Sequence, residues 1–344
     1  MPFTDPAPAL ELIATYLPLL PHWPQLPKRG RMEYFTHQYL TPLVQDGILR
    51  EAQGKWFFAQ EAASWVEDLT AFFSLYLAAA EGEEEARRRF APIPEAASGL
   101  YAFLDALRLG RFPRARWVKG QIAGPLSVGL NLFDPEGRPA YYEPQLRELL
   151  VKCLVQAAVW QVEALSEAGL PVVVFVDDPV VGAWGTSTYI GLEREAIIAD
   201  LKEMAQAIKQ AGGVAGAHAC AAVDWSLLLA AGFEILSFDA YAYFPSLLPY
   251  ARELKEFLDR GGLLAWGLVP TSPAAWEETP VMLAHRWQAA LEELAGRGLP
   301  PGLVRARSFL TPSCGTGVLE PDLARHIYAL TAATAAELLA DPDG

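Results

Sequence analysis

The amino-acid sequence predicts an α/β fold, specifically a single eight-stranded (β/α) TIM barrel with helical additions at its N-terminal end. From residue 117 onward, short apolar runs alternate with amphipathic helical stretches, as is typical of a parallel sheet covered by helices. Polar residues follow directly after these runs, and a barrel carries its chemistry at the C-terminal ends of its strands. A doubly wound open sheet is the alternative, but no Gly-x-Gly-x-x-Gly and no phosphate-binding loop follows any apolar run.

Residues 1–115 are expected to supply the first strand region and a helical insertion, within a single domain of residues 1–344. The segment 17–27 contains four prolines, which exclude a helix and disfavour a central position in a sheet. An extended strand that runs into a rigid loop fits this segment, and it places His22, Trp23 and Gln25 near the mouth of the barrel. Residues 60–112 have a helical pattern.

Residues 116–340 are expected to form regular strand–helix units. The predicted strands are short and apolar, and they cover residues 117–123, 171–176, 214–220, 233–239, 263–269 and 303–310. The predicted helices have apolar residues at helical spacing, and they cover residues 145–168, 194–211, 223–231, 246–260, 280–297 and 322–340. Six such units leave the remaining barrel strands to the first hundred residues.

Composition and charge argue against several classes of protein. The net charge is −14, from 27 basic and 41 acidic side chains, which argues against nucleic acid or an anionic membrane as the main partner. No apolar run approaches the ~20 residues of a membrane-spanning helix, and the chain starts without a basic stretch followed by an apolar one. These features predict a soluble cytoplasmic protein. Three cysteines make a disulfide framework improbable and raise the question of metal binding.

Two of those cysteines fall among residues that zinc prefers. His218 and Cys220 are two apart in an extended segment, so their side chains point the same way. Cys314 follows another predicted strand, in a loop whose glycines permit close approach to a ligand. Asp239 ends a further strand, where it can either bind the metal or cap the next helix. One histidine, two thiolates and one carboxylate form a zinc ligand set. Cys153, on the apolar stripe of its helix, is expected to be a small buried hydrophobe.

Other strand ends carry candidate functional residues. Asp177 and Asp178 precede Pro179 at the end of the apolar run 171–176. One of the two acids is expected to make a structural hydrogen bond at the turn, and the other to hold a substrate ammonium group. Thr271 follows the predicted strand 263–269.

In this order and spacing, the motifs resemble those of the superfamily of uroporphyrinogen decarboxylase and cobalamin-independent methionine synthase, from residue 21 to the C-terminus. The synthase branch has a His-x-Cys at one strand end, like 218–220, and a Cys-Gly after the last strand, like 314–315. Its usual glutamate ligand is matched by Asp239. Its Asp-Glu-Pro is similar to the Asp-Asp-Pro at 177–179, and its Phe-Pro-Gln to the Trp-Pro-Gln at 23–25.

The resemblance favours the synthase branch. The arginine-rich signature with which decarboxylases bind porphyrin carboxylates is not found in residues 21–34. Full-length folate-using synthases carry a second, N-terminal barrel, and they usually have Asp-Ile-His in the region where this chain has Gly-Leu-Val-Pro-Thr at 267–271. Single-barrel relatives tend to take methyl groups from a methylated corrinoid protein, which is therefore the expected donor in place of methyltetrahydrofolate.

The function implied by the resemblance is a zinc-dependent methyltransferase that activates a thiol, with homocysteine converted to methionine. It implies zinc bound by His218, Cys220, Asp239 and Cys314, catalytic roles for Asp177, Asp178 and Thr271, and substrate contacts from His22, Trp23, Gln25 and Asp177. Methyl transfer to another thiol such as coenzyme M, or a decarboxylase-like activity, is the alternative among enzymes. A barrel that binds a corrinoid protein without catalysis, with a structural zinc, is the alternative outside them.

Overall fold

A computed structural model describes residues 1–340, so the last four residues of the predicted domain 1–344 lie outside the described part. These residues form nine strands: β1 (Leu49–Ala52), β2 (Lys55–Phe58), β3 (Val118–Ala123), β4 (Leu132–Phe133), β5 (Val172–Asp177), β6 (Val214–Ala219), β7 (Ile235–Phe238), β8 (Leu263–Val269) and β9 (Ser308–Pro312). The α-helices are α1 (Pro6–Tyr16), α2 (Thr41–Gln45), α3 (Trp65–Ala80), α4 (Glu84–Arg88), α5 (Ser98–Arg108), α6 (Pro125–Gly129), α7 (Pro144–Ser166), α8 (Arg194–Gln210), α9 (Trp225–Ala231), α10 (Ala240–Tyr243), α11 (Ala251–Asp259), α12 (Pro280–Ala295), α13 (Pro301–Ala306) and α14 (Pro321–Ala340).

The main sheet is a six-stranded parallel half-barrel, so the prediction of a closed eight-stranded barrel was wrong. Its strands run in the order β3-β5-β6-β7-β8-β9. This order follows the chain without reversal, and the sheet therefore also lacks the switch point of a doubly wound fold. Helices α7, α8, α12 and α14 pack against its strands. The α/β class and the parallel alternation from residue 116 onward are confirmed.

The first hundred residues do not provide the missing barrel strands. Strands β1 and β2 form an antiparallel hairpin, and β4 adds to it in parallel as a separate three-stranded mixed sheet. The extended segment 17–27 contributes a single bridge, between His22 and Lys119 of β3. Proline lacks the amide hydrogen that a ladder needs, and one proline at every third position from 18 to 27 limits this segment to that pairing.

Two predicted elements also have different boundaries in the structure. The run 303–310 was predicted to be a strand, but residues Pro301–Ala306 form α13 and the strand begins only at Ser308. Proline is favourable in the first helical turn, where an amide hydrogen has no partner inside the helix, and Pro301 lies in that position. The predicted helix 246–260 is a 3-10 segment, Phe244–Tyr250, followed by α11.

The concave face of the half-barrel has an apolar floor and a polar rim. Val173, Phe175, Ile235 and Ala265 form the floor as a separate apolar cluster. Because side chains alternate along a strand, residues two positions further along the same strands share this face. At the rim, Asp177 pairs with His218, His218 with Ser237, and Ser237 with Ala265 across β5, β6, β7 and β8. The sheet register therefore lines up three polar side chains in one row.

The long helix α7 belongs to the core. By length and composition it is the one described helix that could cross a membrane, but 67% of its apolar window is buried inside the protein. Its surface is thus covered by the chain itself, as in the core helix of a soluble protein. Cys153 on this helix is fully buried and its thiol donates to the carbonyl of Tyr39 at 3.5 Å, so the expectation of a buried hydrophobe is confirmed.

Candidate metal centre

Three of the four predicted metal ligands meet at the C-terminal edge of the half-barrel. His218 lies in β6, Cys220 comes directly after it, and Cys314 lies in the loop after β9. Their ligand atoms, one ring nitrogen and two sulfurs, all lie within 4.8 Å of one another. Cys314 is exposed and Cys220 partly exposed, so the group opens to solvent. We refer to these residues as the His–Cys–Cys cluster.

The donor set of the cluster fits zinc. Tetrahedral zinc with bonds of about 2.3 Å to sulfur and 2.0–2.1 Å to nitrogen separates its ligand atoms by about 3.5–3.8 Å. The observed separations of at most 4.8 Å need only side-chain adjustment to reach that spacing. Two thiols and one imidazole are also the softer ligands that zinc takes in preference to magnesium or calcium.

Ser237 orients the histidine of the cluster. Nδ1 of His218 lies 2.9 Å from Oγ of Ser237, a buried side chain on β7. This hydrogen bond leaves Nε2 available to a metal, and metal-binding histidines usually have such a partner on the other nitrogen. Sequence reasoning missed Ser237. Its one signal was a hydroxyl inside the apolar run 233–239, two residues before Asp239.

The two thiols of the cluster are electrostatically unequal. A hydrogen bond from Cys220 lowers the pKa of Cys314 most, and a hydrogen bond from His218 lowers it further. Burial acts in the opposite direction. The same bond to Cys314, together with burial, raises the pKa of Cys220. Burial alone lowers the pKa of His218, but the hydrogen bond with Cys314 and the charge of Asp177 outweigh it and raise that pKa. Of the two thiols, Cys314 is therefore the one that loses its proton more readily, and a thiolate is the form that binds metal.

A hydroxyl pair fixes the loop that carries Cys314. Oγ of Ser313 accepts the amide hydrogen of Thr271 at 3.1 Å and lies 3.0 Å from its hydroxyl. The amide of Ser313 donates to the carbonyl of Val269 at 2.8 Å. A Cβ at Gly267 would come within 2.7 Å of Cα of Ser313 and 2.5 Å of the carbonyl oxygen of Phe238. The bare glycine thus lets the end of β7 and the cysteine loop approach β8, and Thr271 acts on the cluster through Ser313.

We expect Ser313→Ala to weaken zinc binding about 10- to 100-fold, the range for partners that hold a ligand in place. The loop would lose its hydroxyl contact with Thr271 while all three ligand atoms remain. Zinc affinity can be measured by competition with a chromophoric chelator. Thr311→Val is the matched control, because the buried hydroxyl of Thr311 has no hydrogen-bond partner among residues 1–340. Equal zinc affinity in the two variants would contradict the positioning role.

The two neighbouring acids have different environments. The Asp178 side chain is 2% exposed and accepts hydrogen bonds from the amides of Leu126 and Ser127 at 3.0 and 2.9 Å and from the Ser127 hydroxyl at 2.5 Å. Burial raises its pKa to about 6 against those hydrogen bonds. Gly124 leaves room for this arrangement, since a Cβ there would lie 2.2 Å from Oδ2 of Asp178. Asp178 is therefore the acid with the structural role at the turn.

Asp177 remains available at the rim. Its carboxylate faces the same side of the sheet as His218, and within residues 1–340 it makes no hydrogen bond or ion pair. Burial raises its pKa, opposed by the charges of Lys119 and His218. A carboxylate without a donor in such a place is suited to binding a cationic group of a ligand.

Asp239 does not join the other three predicted ligands. Its Oδ1 accepts the amide hydrogen of Ala242 at 2.8 Å and so caps α10, which is the alternative role foreseen for it. Burial raises its pKa, and the charges of Cys314 and His218 also act on it. The carboxylate is thus near the cluster, but it is outside the set of mutually close ligand atoms.

His22 and Trp23, two of the predicted substrate contacts, form hydrogen bonds within the protein. Nδ1 of His22 donates to the carbonyl of Trp23 at 3.0 Å, and the Tyr328 hydroxyl donates to Nε2 at 2.8 Å. Trp23 is fully buried, and its indole nitrogen donates to Oε1 of Gln161 at 2.7 Å. These contacts tie the extended segment to α7 and α14.

Gln25 belongs to a polar network with Gln38 and Tyr39. Its amide nitrogen donates to Oε1 of Gln38 at 2.7 Å and to the hydroxyl of Tyr39 at 3.2 Å. Tyr39 in turn donates to the carbonyl of Gln121 on β3 at 2.7 Å. The network fixes the segment that covers this side of the half-barrel.

We expect His22 to make folding stability depend on pH in the acid range. Burial lowers the pKa of His22 to about 3, against 6.5 for a free histidine. Between these values the unfolded chain binds the proton and the folded one does not, so this contribution to stability is complete above about pH 6.5 and is lost as the pH falls towards 3. Its steepest slope is about 1.4 kcal/mol per pH unit. Urea unfolding of wild type and His22→Gln from pH 4 to 7 measures it, and parallel curves for the two proteins would contradict the expectation.

Comparison with known proteins gives little guidance. No family model matches the chain, and no curated protein matches it. Among solved structures it is similar to the crystal structure of an uncharacterized protein, with 14% sequence identity and a TM-score of 0.32 over 70% of this chain and 61% of the other. This chain thus spans less than two thirds of that protein. A likeness at that level carries no functional argument, and the function has to be argued from the site.

Proposed function

We propose that this protein is a zinc-dependent methyltransferase that activates a thiol, with homocysteine as acceptor and methionine as product. The observation that carries the proposal is the His–Cys–Cys cluster, whose three ligand atoms lie within 4.8 Å of one another on an open edge of the sheet. Three protein ligands with access to solvent match a catalytic zinc site, whereas structural zinc sites are closed by four.

The residues around the cluster support thiol chemistry. Zinc, when bound, lowers the pKa of a thiol ligand so far that the sulfur is a thiolate at neutral pH. Cys220 and Cys314 contribute two negative charges, which keep electron density on the substrate sulfur. Ser237 holds the imidazole of His218. Asp177, next to His218 in the register and without a donor of its own, accepts the ammonium group of the substrate.

In the reaction, the substrate sulfur attacks the methyl carbon of the donor and the bond between that carbon and its leaving group breaks. The donor is proposed to be a methylated corrinoid protein, whose leaving group is the corrinoid in its reduced cobalt state. Cys314 is exposed and follows β9, the edge strand of the half-barrel, so a macromolecular donor would approach the cluster from this edge. We propose that the reaction takes place in the cytoplasm.

Zinc K-edge X-ray absorption on the purified protein, with and without homocysteine, tests the proposal. We expect one additional sulfur neighbour when the thiol is added, and methionine when methylcobalamin is then supplied as a model donor. An unchanged zinc environment would contradict thiol activation and favour a structural zinc in a binding protein. No zinc in a reduced preparation would overturn the proposal and favour a decarboxylase-like activity.

A further inference from the structure

Lys119 is a half-buried cation that faces the concave side of the sheet. It lies on β3 at the position that pairs with Val173, which belongs to the apolar floor. Its Nζ donates to Oε1 of Gln121 at 3.0 Å and lies 4.9 Å from the ring centroid of Phe175. No carboxylate lies within 4.0 Å of Nζ in the part of the chain that the structure describes.

The ammonium group points towards the His–Cys–Cys cluster. Lys119 is four residues before Ala123, the partner of Asp177, and its side chain extends from there along the concave face to Gln121 and Phe175. Its charge acts on both Asp177 and His218. Burial lowers the pKa of Lys119, and the charge of Asp177 opposes that effect. Lys119 and Asp177 are thus opposite charges that face one space without forming an ion pair.

Such an arrangement is costly for the folded protein alone. A half-buried ammonium loses part of its hydration, and one bond to a neutral amide replaces only some of that loss. Two of its three N–H donors have no protein partner among residues 1–340. Asp177 lacks the opposite partner, because its carboxylate accepts no hydrogen bond from residues 1–340. A ligand with one anionic and one cationic group side by side would satisfy both residues.

We infer that Lys119 and Asp177 form a binding site for a zwitterion, in which Lys119 binds the carboxylate and Asp177 the ammonium group of an α-amino acid with a thiol side chain. The inference rests on the proposed function for the position of the thiol at the cluster. It adds that Lys119 binds the carboxylate of the acceptor and so selects a zwitterionic thiol. A thiol with an anionic group and no ammonium, such as coenzyme M, would leave Asp177 unpaired and be repelled by it.

Calorimetric titration of the zinc-loaded protein with three thiols tests the inference. Homocysteine carries both charges, 3-aminopropane-1-thiol lacks the carboxylate, and 4-sulfanylbutanoate lacks the ammonium group. We expect Lys119→Gln to weaken homocysteine and 4-sulfanylbutanoate about 10- to 100-fold, the range for loss of one charged hydrogen bond. The affinity for 3-aminopropane-1-thiol should be unchanged. Asp177→Asn should give the converse pattern, with homocysteine and the aminothiol weakened.

Lys55→Gln is the matched control, because it removes the same charge from a lysine that also lies 4.9 Å from a phenylalanine ring, on the small mixed sheet. It should alter none of the three affinities. Equal weakening of all three thiols by Lys119→Gln, or no weakening, would overturn the assignment. If that variant does not fold, the wild-type protein decides: homocysteine must bind at least about 10-fold more tightly than either truncated thiol.

Failure of this inference is distinguishable from failure of the proposed function. If homocysteine adds a sulfur neighbour to zinc but Lys119→Gln leaves its affinity unchanged, the zwitterion site is wrong and thiol activation stands. If no thiol contacts zinc, the sulfur-free amino acid norvaline replaces homocysteine and butylamine replaces the aminothiol. Binding of norvaline that depends on Lys119 would then support the zwitterion site alone.

Discussion

Replacement of Cys220 by serine is expected to remove zinc from the purified protein. The change leaves two of the three ligands, His218 and Cys314, because a serine hydroxyl stays protonated at neutral pH and binds zinc far more weakly than a thiolate. The loss should exceed the ~10- to 100-fold effect of a residue that only positions a ligand. Zinc content after dialysis, measured by plasma mass spectrometry, should fall from about one per chain to background.

Cys153→Ser is the control for this prediction. It makes the same chemical change in a cysteine that is buried in α7, away from the C-terminal edge of the sheet. Its zinc content should equal that of the wild type. Full zinc content in Cys220→Ser would contradict the role of the cluster and with it the proposed function.

Replacement of Asp178 by alanine is expected to destabilise the fold by about 3–5 kcal/mol. Three buried donors, two amides and one hydroxyl at the start of α6, lose their acceptor, and each unsatisfied buried group costs about 1–3 kcal/mol, partly offset by relaxation. The free energy of unfolding in urea at pH 7.5, where Asp178 is ionised in the folded state, measures the effect.

Asp177→Ala is the matched control, one residue away in the same strand–turn segment. Its carboxylate has no hydrogen bond within the described chain, so its removal should change stability by less than about 1 kcal/mol while it weakens binding of amine-bearing thiols. Similar destabilisation by both variants would contradict the assignment of a structural role to Asp178 and a ligand-binding role to Asp177.

The close approach of His218, Cys220 and Cys314 was predictable because it depends on local rules. Alternation within a strand puts 218 and 220 on one face, and the C-terminal ends of parallel strands lie on one edge. Cys314 needed only a strand before it, and although α13 replaced the first half of the predicted strand 303–310, β9 still ends at Pro312. The site was therefore insensitive to an error of several residues in the boundary.

Two features could not be predicted from individual strands and helices. One is whether the barrel closes, and the other is which side chains contact the metal ligands. The prolines of segment 17–27 indicate that it can form few hydrogen bonds to a neighbouring strand. Whether the segment still joins the sheet as a strand depends on the arrangement of the whole sheet. Ser237 meets His218 only because β6 and β7 pair in one register, and a shift by one residue would turn it to the other face. Likewise, the contact between Thr271 and Ser313 depends on the irregular pairing of β8 and β9 between Gly267 and Val269.

The position of Cys314 has a consequence for the thermodynamics of folding. It follows β9, the edge strand of the sheet, whereas Cys220 follows β6 in the middle. A metal bound by both would act as a cross-link that skips two strands and closes the chain between positions 220 and 314. A disulfide that closes a loop of ~100 residues stabilises the folded state by about 4–5 kcal/mol, because it restricts the unfolded chain. By analogy, loss of the metal should destabilise the last strand first. Chelation should then loosen β9 and α14 while the centre of the sheet stays folded, a pattern that hydrogen exchange can resolve strand by strand.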